Sequence, residues 1–393
     1  MRAGIVLCVM FAGLVLLAPF GSMGIAPWVF LAALLAMPQS YYWSWPPEVA
    51  WCLYGLVLWA GISMNWGRFD VPPLESYAAF EKLQILKLVL LVMAATALIT
   101  SLAMLTDRWR RWLRVTLVTS TVLIALILGL EALSGAEFYR VLTTKIGEDY
   151  DLAWRIRNVG QGGYVLLLLF WPVAVLLYRW EQKKWLIGLV LGTGLCALSF
   201  DRSAQIMAIL ASGVVFAATL WRSKVMTLLV PALMAISIVG MPALMSALLG
   251  SLPQDSLPTS WLQRVVMWQF TVDQIFQNAL WGYGLDASRT FEKVISVRGV
   301  EMTQIQLHPH NAALQIWLEL GAIGSVLASF TILALTPLLQ PLSRLDRAMV
   351  LASLTSFFVI ANFSFGLWQE WWIMTITVGV LAVLLAREPK TTV

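Results

Sequence analysis

A chain of 393 residues with only two histidines places both in one tripeptide, His308-Pro309-His310. They open the stretch HPHNAALQIWLELGAIG, residues 308–324. Imidazole is the side chain that exchanges protons most readily near neutral pH, so this tripeptide is the first place to look for acid–base chemistry. The residues after it are apolar at helical spacing. Positions four apart on a helix share a face, so Asn311, Gln315 and Glu319 form a polar stripe running inward from His310. Glu319 lies roughly 12 Å below the start of that helix at about 1.5 Å rise per residue. A carboxyl group at that depth in an apolar segment is either functional or satisfied by nearby donors. Gly321 and Gly324 suit close helix packing.

Cationic groups accompany the imidazoles. Arg202, in SFDRSAQ (199–205), sits where two apolar runs meet with almost no loop between them. A guanidinium there offers a planar fork matched to phosphate oxygens, or simply snorkels to the surface. The segment LPTSWLQRVVMWQFTVDQIFQNALWGYG (257–284) repeats apolar residues at Trp261, Leu262, Val265, Trp268, Val272, Ile275, Phe276 and Leu280. That period predicts an amphipathic helix, begun after Pro258 and ended by Gly282 and Gly284. Arg264 falls in its first turns, where unbonded N–H groups favour anions. In AWRIRNVGQGGY (153–164), Arg155 and Arg157 precede a Gly-rich turn that either admits a ligand backbone-close or leads into the next span. Lys82, Lys87 and Arg289 are further candidates.

These groups need a frame, and the composition supplies it. The chain is 60% hydrophobic and 12% charged, against about 25% charged in soluble domains. Apolar runs predict spans at 4–20, 24–38, 48–64, 83–105, 112–134, 162–179, 185–200, 203–221, 225–250, 311–337, 346–363 and 370–386. The expectation is an all-α polytopic membrane protein of about 12 helices in a bilayer core about 30 Å thick. The whole of 1–393 reads as one membrane domain, with a large loop at 251–310 between the ninth and tenth spans. The first run reads as a span rather than a signal peptide. A membrane β-barrel is excluded because its short alternating segments are absent. Trp43, Trp45, Trp109, Trp112, Trp180, Trp221, Trp368, Trp371 and Trp372 flank apolar runs and are expected in interfacial belts. Cys8, Cys52 and Cys196 lie inside apolar runs without metal or disulfide spacing.

Short loops rich in Lys and Arg mark the cytoplasmic side. Arg108, Arg110, Arg111 and Arg114; Arg179, Lys183 and Lys184; Arg222 and Lys224; Arg344 and Arg347; and Arg387 and Lys390 all fall on one side when the spans alternate. Both termini are then cytoplasmic. The loops 65–82, 135–161 and 251–310 are external, and the histidines with them. In a bacterium that side is the periplasm, which holds no ATP or nucleotide sugars. Transfer chemistry there needs a pre-activated donor.

Four chemistries compete for these parts. A catalytic zinc needs a third protein ligand beside the two histidines, from Asp286, Glu292 or Glu301. A serine hydrolase lacks a GxSxG elbow. A proton-coupled transporter would use Glu319 beside an imidazole, but the polar groups gather at one face and no inverted repeat of broken helices is visible. Group transfer from a lipid pyrophosphate needs arginines for the leaving group and an imidazole for the acceptor hydroxyl. Those parts are present.

The segment HNAALQIWLELGAIG resembles the signature of the O-antigen ligase and polymerase superfamily, HNxxLxxxxExGxxG. DRSAQIMAIL resembles that family's arginine segment, and RVVMWQFTVDQIFQNALWGYG is similar to its RxxxW…GxG stretch; Asp201 before Arg202 departs from the family's small flanking residues. The resemblance covers roughly residues 150–335. It implies a GT-C-like, metal-independent, inverting glycosyltransferase of the bacterial inner membrane that needs no cofactor. The donor implied is an undecaprenyl-pyrophosphate glycan. In the ligase branch, which the short C-terminal region favours, the acceptor is a sugar hydroxyl of lipid A-core; in the polymerase branch it is a second lipid-linked glycan. Carried over by motif, His310 would activate or orient the acceptor, and Arg202 and Arg264 would hold the pyrophosphate. His308, Asn311, Glu319, Arg157, Lys82 and Arg289 are secondary candidates. The partners implied are these lipids and no nucleic acid.

Overall fold

A computed structural model describes residues 1–20, 24–38, 47–67, 83–145, 147–148, 150–200, 203–291 and 293–388. Arg202, Lys82, Trp43, Trp45, Glu292 and Lys390 lie outside these described residues.

The described residues are mostly helical because their apolar runs have no partner except one another and lipid. In order, the helices are α1 (Arg2–Leu17), α2 (Ile25–Ala36), α3 (Pro47–Ser63), α4 (Gln84–Ala103), α5 (Asp107–Ser134), α6 (Glu137–Lys145), α7 (Leu152–Arg179) and α8 (Lys183–Ser199). There follow α9 (Ser203–Trp221), α10 (Ser223–Leu249), α11 (Thr259–Gln277), α12 (Ala312–Leu333), α13 (Thr336–Leu339), α14 (Arg344–Phe363) and α15 (Glu370–Ala386). Every expected span coincides with a helix. Among the described residues, eight helices are long and apolar enough to cross a membrane, rather than about 12. The shorter α1, α2, α8 and α15 have 16, 12, 17 and 17 residues. A 12-residue helix rises only about 18 Å, well short of a straight crossing of a core about 30 Å thick.

The bundle pairs α14 with α9, α10 with α12, α1 with α5, α12 with α3 and α15 with α7. Its largest apolar core runs through α1, α2, α4, α5, α7 and α15, where Leu7, Phe11, Leu98, Leu117, Ile124 and Leu166 are fully buried. The alternation expected from the basic loops is visible in the packing. Arg114 donates to the carbonyls of Leu385 (2.8 Å) and Arg387 (3.2 Å). Arg179 donates to that of Ala386 (2.6 Å) and pairs with Asp346 (2.9 Å). Arg347 reaches Ser223 Oγ at 2.7 Å. The Arg-rich connections thus meet at one end of the bundle, and the imidazoles lie at the other.

Three readings of the sequence are corrected. The Gly-rich turn at 160–163 is helix, because α7 begins eight residues earlier at Leu152, capped by Asp151, whose side chain accepts from Trp154 N–H at 2.7 Å. Its glycines serve packing. A Cβ on Gly162 would lie 2.3 Å from the Ala18 carbonyl, and one on Gly163 would lie 2.5 Å from Gln205 Oε1. The loop between α10 and α12 also holds a β-hairpin, β1 (Val294–Val297) with β2 (Val300–Thr303), turned at Arg298 and Gly299, both with positive φ. Finally, Trp368, Trp371 and Trp372 are buried rather than interfacial, whereas Trp112 and Trp221 are exposed as a belt requires. Trp368 lies in the α14–α15 connection, and Trp371 and Trp372 lie in the first turn of α15 that follows it.

Candidate active site around His310

The two histidines end the loop between α10 and α12, with His310 one residue before the cap of α12. Asn311 caps the helix, its Oδ1 accepting from Leu314 N–H at 2.9 Å, and Asn362 Oδ1 accepts from Ala313 N–H at 3.1 Å. α11 fixes the tripeptide from the side. Trp268 is buried there, and its indole N–H donates to the Pro309 carbonyl at 2.7 Å. One turn earlier on the same face, Arg264 donates to the Phe363 carbonyl at 2.9 Å. The amphipathic helix expected over this segment is therefore present, and it locks the end of α14 to the head of α12. Its period extends too far in the sequence reading, since Phe276 and Leu280 are exposed.

His310 has φ +52°, in the left-handed region that non-glycine residues seldom occupy. Its Nδ1 lies 2.6 Å from the Ser364 carbonyl oxygen. A carbonyl can only accept, so Nδ1 carries the proton and Nε2 holds the unshared pair. Burial pushes the imidazole's pKa down to about 4; the bond to Ser364 opposes this, and the charges of Arg264 and Arg157 add to it. The ring is therefore neutral at pH 7. Ser364 is itself held by Tyr164, 3.0 Å from its hydroxyl. His308 packs edge-on to His310 with ring centres 4.2 Å apart, and its Nδ1 accepts the His310 backbone N–H at 3.2 Å. Burial, then the positive fields of His310, Arg289 and Arg264, holds His308 well below its ordinary range.

The polar stripe below is real, and it is a scaffold. Gln315 Oε1 accepts from Leu367 N–H at 2.8 Å. Glu319 is fully buried and accepts four hydrogen bonds. Oε1 takes Ser288 Oγ (2.5 Å) and Gln315 Nε2 (3.0 Å). Oε2 takes Asp286 N–H (2.8 Å) and Trp368 Nε1 (2.5 Å). Just beyond it, Gly321 breaks α12 with φ +66° and ψ −165°. The carbonyls of Leu318, Glu319 and Leu320 are released there, and they accept from Tyr283 N–H, Gly284 N–H and Trp59 Nε1 at 2.8, 2.8 and 2.9 Å. A Cβ on Gly321 would stand 2.3 Å from the Leu280 carbonyl, and one on Gly282 would stand 2.5 Å from that of Glu319. The glycines of the two motifs interlock backbone against backbone.

The other candidates divide. Arg157 is exposed on the second turn of α7, with its guanidinium 5.3 Å from the Trp154 ring centre. Arg264 is half-buried over Trp261 at 5.4 Å. Both act on His310 by charge. Arg289 pairs with Asp286 at 2.9 Å, and Lys87 is buried against Glu370 at 2.7 Å. Among the described residues, no group of three His, Cys, Asp or Glu side chains is arranged to hold a metal ion. Glu301 lies in β2, with Asp286 committed to Arg289.

The sequence reading passed over the connection between α14 and α15. Asn362, Ser364, Gly366, Leu367, Trp368 and Gln369 supply the contacts that hold the head of α12, and Gly366 lies flat against His308, where a Cβ would come within 2.7 Å of its ring. The available signal was an Asn, a Ser and a Gln-Glu pair between two apolar runs.

The described fold and site define a polytopic helical membrane protein with a neutral, carbonyl-oriented imidazole beside arginines at one end of the bundle. Residues 187–329 match the family model described as O-Antigen ligase. A Rickettsia conorii protein provisionally named a polysaccharide ligase is 27% identical over 255 residues, 61% of this chain and 60% of that protein. Similarly named proteins of Rickettsia prowazekii and Rickettsia typhi are 33% and 32% identical over 136 residues, 32% of either chain in each case. The chain thus matches less than two thirds of these relatives' length. No solved structure matches.

Proposed function

We propose that the protein is a glycosyltransferase that moves a glycan from an undecaprenyl-pyrophosphate carrier to a sugar hydroxyl of lipid A-core. The observation that carries this reading is the His310 Nδ1 contact with the Ser364 carbonyl, which leaves Nε2 unprotonated. In the proposed step, Nε2 takes the proton of the acceptor hydroxyl as its oxygen attacks the anomeric carbon from the side opposite the carrier. The anomeric C–O bond breaks, the configuration inverts, and the lipid pyrophosphate leaves with the bonding pair. Arg264, and Arg202 by its motif, offset the charge of the leaving group. No cofactor or metal takes part, because the donor is already activated. The whole chain acts as one membrane domain in the bacterial inner membrane, with both termini cytoplasmic and His310 at the periplasmic face. The family match over 187–329 supports the ligase reading.

A base with a pKa of about 4 is weak. The donor's own charge corrects this: a pyrophosphate near the ring favours the imidazolium and raises its proton affinity when the substrate is bound. The test is reconstitution of the purified protein with the lipid-linked glycan in EDTA, with and without rough lipopolysaccharide. Glycan on lipid A-core is the expected result. Longer lipid-linked glycan without core acceptor would make the protein a polymerase.

A further inference from the structure

Both nitrogens of His308 are engaged, and this sets it apart from its neighbour. Its Nδ1 accepts the peptide N–H of His310 at 3.2 Å, so the proton of the neutral ring sits on Nε2. Nε2 lies 3.3 Å from Gln369 Nε2, the amide nitrogen. An N–H there requires a carbonyl opposite it. Gln369 provides one with its amide turned so that Oε1, otherwise buried without a partner, faces the ring. The two imidazoles thus hold opposite tautomers: His308 protonated on Nε2, His310 on Nδ1. Neither nitrogen of His308 offers a lone pair to substrate, and burial keeps the ring neutral.

The backbone shows what His308 does. The left-handed conformation of His310 is costly for a residue with a side chain. It persists where surrounding bonds over-determine it, and one of those bonds is the His308 contact to the N–H of the strained residue itself. Gly366 lets the α14–α15 connection lie against the His308 ring, closing it in.

We propose that His308 is a positioning residue: clamped between Gln369 and the residue-310 peptide N–H, it holds His310 in the left-handed conformation that seats Nδ1 on Ser364 and leaves Nε2 available. The inference rests on the reading of His310 as the proton acceptor. Asparagine at 308 keeps an acceptor for the N–H two residues on, as in an Asx turn, whereas alanine removes it.

The experiment uses the full chain and the fact that it contains two histidines. Ring-15N-labelled protein gives only two imidazole spin systems, assigned with His308→Asn and His310→Ala. The expected spectrum shows one ring of each tautomer. His308→Asn leaves the His310 ring in its Nδ1–H form, and His308→Ala gives a mixed His310 population. In the transfer assay, His308→Ala loses about 10–100-fold in kcat, the scale of a catalytic group misplaced by about 1 Å, with donor KM little changed. His308→Asn stays within about threefold of wild type, because the acceptor is restored. Two rings in the same tautomer, or an unchanged His310 signal in His308→Ala, would overturn the proposal. So would a folded His308→Asn as inactive as His308→Ala, which would mean that the ring itself does chemistry. Failure of the His310 reading looks different: His310→Ala would then retain transfer while the tautomer pattern stood.

Discussion

The two ends of one polar stripe on α12 do different work. At its foot, Glu319 receives four donors, two on each oxygen, and has no capacity left for a substrate. At its head, His310 is fixed through one nitrogen by a carbonyl, and the other nitrogen keeps its unshared pair. Glu319 is fully buried and His310 half-buried, and both come from residue types that read as functional in an apolar sequence. What separates them is the count of donors and acceptors around each. A saturated polar group is a strut, and a group oriented by one bond with one atom in reserve has a lone pair to offer a substrate.

The largest effect expected from this contrast is on His310→Ala. Loss of a positioned general base costs about 10²–10⁴-fold in rate, while the thermal midpoint in detergent should fall little. Glycan transfer and melting measured on one preparation check both halves. The contrast collapses if the variant transfers normally. Glu319→Leu should behave in the reverse way. Each buried donor left unpaired costs about 1–3 kcal/mol, and Asp286 N–H, Ser288, Gln315 and Trp368 would all lose their acceptor. The melting midpoint should fall sharply, and transfer should fall only in proportion to the folded fraction. A normal midpoint with no transfer would mean that Glu319 handles protons, as in the transporter reading.

Gly321→Ala attacks the same strut through the backbone. With φ at +66° and the Leu280 carbonyl 2.3 Å from the new Cβ, the released carbonyls of α12 can no longer meet Tyr283, Gly284 and Trp59. Strain of this kind costs on the order of 1–3 kcal/mol before any clash is counted. The check is the yield of monodisperse protein, which should fall below that of Gly213→Ala, since a Cβ on Gly213 meets nothing within 4 Å.

Much of this was legible before any coordinates. Apolar period and length located every helix long enough to be read as a span, since burial in lipid leaves the chain few alternatives, but not the short α6 (Glu137–Lys145), which falls in a segment read as loop. The i, i+4 rule located the stripe, and the imidazole tripeptide located its head. Hydrogen-bond counts were not legible, because the partners of Glu319 come from residues 286, 288 and 368, which are brought together only by the broken helix and the folded α14–α15 connection. The glycines at 160–163 misled for a related reason. Glycine marks either a turn or a close approach, and only the packing of α7 on Ala18 and Gln205 decides between them.

Arg264→Lys sharpens the head of the stripe with a smaller effect. A guanidinium can hold the Phe363 carbonyl and still present a planar edge to phosphate oxygens, and an ammonium cannot do both in that geometry. Donor KM should rise about tenfold with kcat within about threefold of wild type, the pattern of lost ground-state binding. Full activity with an unchanged KM would remove Arg264 from the pyrophosphate site.

The smallest effect, and the most specific, is in pH. The folded pKa of His310 is about 4, below its ordinary value of 6.5. Above 6.5 the ring is neutral whether the chain is folded or not, and it adds nothing to the pH dependence of stability. As pH falls from 6.5 towards about 4, the unfolded chain binds a proton that the folded one does not, so stability declines across that window. His310→Ala should flatten that part of the curve. Activity follows the same group seen from the other side. The acid limb of kcat/KM reports the free enzyme and should fall near pH 4, whereas that of kcat reports the donor complex and should lie higher, because the pyrophosphate favours the imidazolium. Coincident limbs would mean that the donor's charge does not reach the ring, and the carbonyl-held imidazole would then be too weak a base for the step assigned to it.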